Sequence, residues 1–263
     1  MTNKNYLFGE QDSETKRLDL LNAVYNPWSK NFLADVLEKT GGKILEVGCG
    51  QGSMSQWLAE HDNVDSVLGL DIDKLALKTA AEKNIPKTEF ELFSVYDLNQ
   101  LRDQFDIIYQ RFVLIHLTNP AAALKAIYNQ LKPGGIFVCD TGIHSHCFSD
   151  PKTDSYDNFI KLVLQMFASQ GKDADLGKTI ASTASKIGFI KEHIQLQQPL
   201  LRRKTEKNLM YLSLKNAQPL FEQEGLATAD ELNSLNQCML KDIENEDSIW
   251  AAPTLCQFVF RKI

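Results

Sequence analysis

The stretch Lys43-Ile-Leu-Glu-Val-Gly-Cys-Gly-Gln-Gly52 constrains the fold more than any other part of the chain. Residues 43–47 carry Ile, Leu and Val in a run too short for a helix, as a strand buried in a parallel sheet does. Gly48, Gly50 and Gly52 follow at once, letting the backbone turn sharply and come close to a ligand, and Ser53 is placed to cap a helix that opens there. A buried strand that ends in a glycine turn and leads into a helix suits a nucleotide-like cofactor. The glycines alone leave its identity open, a nicotinamide dinucleotide included.

The same alternation continues. Met54, Trp57 and Leu58 stand at helical spacing, residues 66–71 form a second buried strand ending in an acid, and Asp73 is placed to cap a helix over 74–83. Strands are predicted at 88–92, 105–109 and 135–139, with a helix over 120–131 and a Pro133-Gly134-Gly135 turn before the last of them. Repeated strand-helix units imply an α/β fold with a doubly wound parallel sheet. Beyond residue 141 the pattern loosens into helices at 155–170, 175–186, 205–224 and 228–244 and strands at 190–196 and 254–260. Residues 198–253 are far longer than a hairpin connection and read as a helical lid inserted into a core of 41–197 and 254–263. Residues 1–40 read as an N-terminal helical cap in which Asn26-Pro27-Trp28 breaks a helix.

Composition narrows the class. A chain of 263 residues, 43% hydrophobic and 24% charged, can bury a substantial core. Its five cysteines, at 49, 139, 147, 238 and 256, are odd in number and lack CxxC spacing, which argues against a disulfide framework and a zinc site. The net charge of −6, without a dense Lys/Arg run, predicts no nucleic-acid partner. No apolar stretch approaches the about 20 residues of a membrane span, and the first residues lack the apolar core of a signal peptide, so a cytoplasmic protein is expected.

Four elements in register carry a family resemblance: Leu45-Glu-Val-Gly-Cys-Gly-Gln-Gly52, the acid Asp71, the segment Phe105-Asp-Ile-Ile-Tyr-Gln-Arg-Phe-Val-Leu-Ile-His-Leu117, and Leu131-Lys-Pro-Gly-Gly-Ile136. Together they resemble the class I S-adenosylmethionine-dependent methyltransferases, in their small-molecule, type 11-like branch. The resemblance implies a Rossmann-like sheet of order 3-2-1-4-5-7-6 with an antiparallel last strand, which the segment 254–260 supplies. It implies S-adenosylmethionine as cofactor and S-adenosylhomocysteine as product. Glu46 resembles the acid that holds the methionine ammonium, and Gly48, Cys49 and Gly50 would approach the amino-acid end and the ribose. Asp71 would accept from both ribose hydroxyls, and Ile72 would pack on adenine. Where many relatives place an acid against the adenine amino group this chain has Ser94, so Ser94 and the Val95 backbone are expected there. Gln110 and Arg111, at the end of the fourth strand, would lie near the methionine and the transferring methyl.

Methyl transfer needs alignment and exclusion of water more than a base. His116 is the leading base candidate, with packing at a strand-helix junction as the alternative. Asp140, His144 and His146, expected in a loop after the fifth strand, would line the acceptor pocket. No metal is expected there, because the His-x-His lacks a second well-spaced pair. Tyr6, Arg17 and Tyr25 are candidate contacts of the N-terminal segment, Tyr25 towards the cofactor and the other two towards the acceptor. A small-molecule methyltransferase, monomeric or homodimeric and without a membrane partner, leads. A methyltransferase of RNA or protein would show a basic surface. A non-catalytic cofactor-binding relative would bind without turnover.

Overall fold

The structure, a computed structural model, describes residues 11–263. In chain order the elements are α1 Gln11–Leu37, β1 Gly42–Val47, α2 Ser53–Ala59, β2 Val64–Asp71, α3 Lys74–Glu82, β3 Thr88–Leu92, β4 Phe105–Arg111, α4 Pro120–Gln130 and β5 Leu131–Ile143. They continue as β6 Phe148–Asp150, α5 Asp154–Ser169, α6 Ile180–Ile187, β7 Phe189–Gln197, β8 Leu200–Leu201, α7 Lys204–Gln223, α8 Ala229–Ile243, β9 Ile249–Ala251 and β10 Thr254–Lys262. Short 3-10 turns follow β3 and β4. The chain divides into a sheet-bearing unit of residues 28–142, 176–196 and 256–263, and a helical unit formed by the remaining segments.

In the sheet-bearing unit seven strands lie in the order β3-β2-β1-β4-β5-β10-β7. Counted within this sheet alone, that is 3-2-1-4-5-7-6, as the resemblance implied. The pairs β1–β2, β1–β4, β2–β3 and β4–β5 are parallel. β10 runs the other way, because Lys262 reaches the Leu131 carbonyl, Arg261 the Gly134 carbonyl and Gln257 the Asp140 carboxylate. One face of the sheet buries Ile44, Ile107, Tyr109, Ile136 and Val138 against Phe32, Leu33, Val36 and Leu37 of α1 and Met54 and Leu58 of α2. Elsewhere in the sheet Phe137 packs on Phe189 and Phe260, with ring centroids 5.8 and 6.0 Å away.

Local chemistry sets the helix ends. Asp73 caps α3 by accepting from the Leu75 and Ala76 amides, and Asn119 caps α4 just ahead of Pro120. Three expectations change. α2 starts from Gly52 in a left-handed conformation with no side-chain cap, so Ser53 is its first helical residue and not its cap. α1 continues through Pro27, where a break was expected; proline costs one backbone hydrogen bond, and the buried Phe32, Leu33, Val36 and Leu37 hold the following turns in the core. The Pro133-Gly134-Gly135 turn lies inside β5, because Leu131 pairs with Phe105 and Ile136 with Ile107. The extra residues are absorbed as a bulge, and β5 runs on to Ile143.

The helical unit packs α5 against α7 and α8. Its small sheet has the order β6-β9-β8. Tyr156 of α5 stacks on the buried Trp250 of β9 with ring centroids 4.6 Å apart, and its hydroxyl donates to the Ala251 carbonyl at 2.7 Å. Lys207, wholly buried in α7, donates to the Asn245 carbonyl and to Ser248 Oγ. Residues 143–175, expected with the core, group with the inserted helices because α5 packs on them.

Candidate functional site

The glycine turn is built by its neighbours. Gly48 and Cys49 both donate to the Leu70 carbonyl of β2, which ties the turn to the adjacent strand. At Gly48, φ is +74° and a Cβ would lie 2.2 Å from Val113 Cγ2, so no other residue fits without displacement. Gly50 also has a positive φ, +52°, yet nothing lies within 4 Å of its Cβ position. Asp71 clamps the turn from the end of β2: one carboxylate oxygen accepts from the Gly50 amide at 2.7 Å and the other from the Asp73 amide at 2.9 Å. Burial raises the Asp71 carboxyl in spite of these bonds.

Register places the charged groups. Glu46 lies opposite Tyr109, and Arg111 opposite Asp140. Alternation along β4 therefore puts Glu46, Tyr109, Arg111 and Asp140 on one face, at the carboxyl edge of the sheet. Glu46 is buried and accepts from Ser55 of α2. Burial pushes its carboxyl up to about 7, with the Arg111 charge pulling the other way. Asp140, fully buried, accepts from Ser29 of α1 at 2.5 Å, Gln257 of β10 at 3.0 Å and Tyr109 at 3.1 Å. It stands inside β5 and not in a following loop, which corrects the expected position.

Gln110 turns to the opposite face, where it is buried. Its amide donates to Cys139 Sγ and to the Asp140 carbonyl, and its carbonyl accepts from the Val113 and Leu114 amides. The side chain thus secures the corner after β4 instead of facing a ligand, as had been expected of it. Phe112, at this corner, holds a left-handed φ of +58°, and its amide donates to the Asp140 carbonyl. The 3-10 turn Leu114–His116 follows, leaving His116 half-buried beside the strand end.

Beyond β3, Ser94 caps the 3-10 turn Val95–Gln100 by accepting from the Tyr96 amide, and Val95 is buried. Ile72, next to Asp71, is 46% exposed, high for a large apolar side chain at a sheet edge. Residues 45–139, which contain the glycine turn, Glu46, Asp71, Ser94 and the corner after β4, match the family described as methyltransferase domain. This segment is a methyltransferase domain.

The methyltransferase domain is similar to phosphoethanolamine N-methyltransferase 3 of Arabidopsis thaliana, 35% identical over 133 residues that cover 49% of this chain and 26% of the plant enzyme. It is also similar to the ubiquinone biosynthesis O-methyltransferase of Pseudomonas entomophila, 28% identical over 130 residues covering 48% of this chain and 53% of that enzyme. The chain thus spans about a quarter of the one relative and about half of the other. In fold it is similar to the YcgJ protein of Bacillus subtilis, with a TM-score of 0.60 at 17% identity over 88% of this chain and 97% of that one.

The cofactor expected at this turn is S-adenosylmethionine. The residues present fit it. The open space at Gly50 is a cradle that a Cβ would fill, and it lies on the turn between Glu46 and Asp71. Each Asp71 oxygen accepts one backbone amide and keeps a lone pair for a hydroxyl. Cys49, buried in the turn, has its thiol raised by burial and stays neutral.

The remaining candidates lie in the helical unit. Tyr25 is buried, and its hydroxyl donates to the Pro253 carbonyl at 2.9 Å. Arg17 makes a two-point ion pair with Glu14, which also accepts from Asn216 of α7. His144 pairs with the Ala174 carbonyl at 2.7 Å, and burial lowers its pKa. His146 pairs with Thr254 Oγ1 at 3.2 Å. Tyr6 lies outside the described residues. Sequence reasoning missed Ser29, Ser55 and Gln257; small polar residues on apolar helices and strands were the available signal.

Proposed function

We propose that this protein transfers the methyl group of S-adenosylmethionine to a small-molecule acceptor and releases S-adenosylhomocysteine. The supporting observation is the edge where Glu46 and Arg111 stand on neighbouring strands beside the open glycine turn that Asp71 clamps. When bound, the cofactor supplies an electrophilic methyl on a sulfonium. Asp71 holds the ribose hydroxyls, Glu46 the ammonium, and Ile72, Ser94 and Val95 the adenine. The corner that Gln110 secures presents His116, which takes up the acceptor's proton. The chain supplies alignment and shelter from water, which suffice for much of such a displacement.

Relatives named for phosphoethanolamine and for ubiquinone biosynthesis support small acceptors. Acceptor choice resides outside 45–139, where the family match ends. We place the protein in the cytoplasm as a monomer or homodimer, acting on neither nucleic acid nor membrane; no helix among the described residues is long and apolar enough to cross a membrane. The test is release of S-adenosylhomocysteine with a panel of small amines, phosphobases and phenols, set against bulk RNA and protein. Turnover confined to RNA or protein, or cofactor binding without turnover on any acceptor, overturns the proposal.

A further inference from the structure

We infer, on the small-molecule reading above, that Thr141 is a binding residue for the methyl acceptor. Its hydroxyl hydrogen-bonds a second polar group of that molecule, a hydroxyl, an amine or a phosphate oxygen, apart from the atom that is methylated.

Thr141 is wholly buried, and its Oγ1 has no hydrogen-bond partner among the described residues. A buried hydroxyl left unpaired costs stability, whereas valine has the same branched shape and no polar side-chain atom. Ile136, Phe137, Val138 and Ile143 of the same strand are apolar and buried, so valine would meet the packing needs of this position equally well.

Register fixes where the hydroxyl stands. Arg111 pairs with Asp140, so Thr141 lies one step beyond the end of β4, at the carboxyl edge where doubly wound sheets take their ligands. Asp140 turns to the Tyr109 face, where it accepts from the Tyr109 hydroxyl, and alternation turns Thr141 to the opposite face with Cys139 and Gln110. On that face Gln110 accepts from the Val113 and Leu114 amides. Thr141 therefore shares its face with the corner from which the turn Leu114–His116 starts.

The polar groups of this corner are committed to one another. The Gln110 amide donates to Cys139 Sγ and the Asp140 carbonyl, and the Phe112 amide also donates to the Asp140 carbonyl. A hydroxyl offers one proton and two lone pairs, so Thr141 can meet either a donor or an acceptor. In the function proposed above the methylated atom gives its proton to His116, which leaves Thr141 for a different group of the same molecule. An acceptor without such a group would leave the buried hydroxyl unpaired and bind weakly.

Thr141→Val and Thr141→Ser test this through urea unfolding without ligand, calorimetry with S-adenosylhomocysteine, and KM and kcat with the acceptor of the panel above that gives the highest kcat/KM. Thr141→Val should raise the urea midpoint by about 0.3 M, because an unpaired buried hydroxyl is removed. It should leave S-adenosylhomocysteine affinity within about 2-fold and raise KM by about 10–100-fold with kcat within about 3-fold, as loss of a binding contact does. Thr141→Ser retains the hydroxyl and should keep KM within about 3-fold of wild type.

An unchanged KM in Thr141→Val, or a raised KM that serine does not rescue, overturns the inference. A lowered urea midpoint in Thr141→Val also overturns it, since the hydroxyl is then already bonded in the unliganded protein, to a buried water for instance. If wild type methylates no small acceptor, the proposed function fails and the urea midpoint alone decides: a rise upholds a hydroxyl kept for a ligand, and a fall or no change overturns it.

Discussion

Glu46 allows the buried edge to be probed without any ligand. Its carboxyl is raised from 4.5 to about 7 by burial on the sheet, a difference worth about 3 kcal/mol at about 1.4 kcal/mol per unit. Below pH 4.5 the group is protonated in both the folded and the unfolded chain and has no effect on their balance. Between pH 4.5 and about 7 the unfolded chain gives up its proton while the folded one keeps it, so stability falls as pH rises. Above about 7 the whole loss is in place. Glutamine keeps the volume and an acceptor for Ser55 but never ionises. Glu46→Gln should therefore approach the wild type in stability near pH 4.5 and exceed it by about 2–3 kcal/mol near pH 8, read from urea unfolding across that range. A stability difference that stays flat with pH would refute the reasoning. The same variant loses its anion for the cofactor ammonium, so greater stability should accompany cofactor affinity weakened by about 10-fold or more.

Gly50→Ala should cost about 1 kcal/mol in melting experiments, for the positive φ alone, yet weaken cofactor binding by about 10-fold or more because the new methyl enters the open cradle; unchanged affinity would place the ligand elsewhere. Asp71→Asn turns an amide donor towards one of the backbone amides that Asp71 now accepts, and should cost about 2 kcal/mol in stability along with about 30-fold in cofactor affinity by calorimetry. His116→Ala should leave cofactor affinity unchanged and lower kcat by about 100-fold or more with the best acceptor; full turnover would leave only the packing role. Lys207→Ala should destabilise the helical unit by about 3 kcal/mol in urea unfolding, since a buried stem is lost, the Ser248 hydroxyl oxygen loses its donor and the Asn245 carbonyl keeps only Ser248 as a side-chain donor.

The sheet was legible because its signals are local and redundant. Residues 43–47 and 105–109 are short, mostly apolar runs, as strands covered on both faces are, and Asp73 announces the helix that it caps. The glycine turn and Asp71 could be placed in the fold for the same reason, each standing at the end of a strand. Side-chain direction at the strand ends could not, because it depends on register with neighbours distant in sequence. Gln110 looked like a ligand contact until Cys139 and the corner amides claimed it. Asp140 looked like the first residue of a loop because the bulge at 132–135 hides the length of β5. Pro27 misled for a different reason, as the penalty of one proline is small beside four buried apolar residues in the turns that follow.

The insertion of β10 between β5 and β7 has a consequence for how the chain comes off the ribosome. The first five strands can pair as they emerge, but the strand that joins β5 to β7 is separated from β7 by residues 198–253. At about 5–20 residues per second, roughly 3–11 s of synthesis pass before it arrives. During that time the apolar edge of β5 at Ile136, Phe137 and Val138 has no partner, and Asp140 lacks the amide of Gln257. The nascent domain is therefore most open to strand addition by other chains in that interval, and molecules that recognise unpaired edges would act on it then.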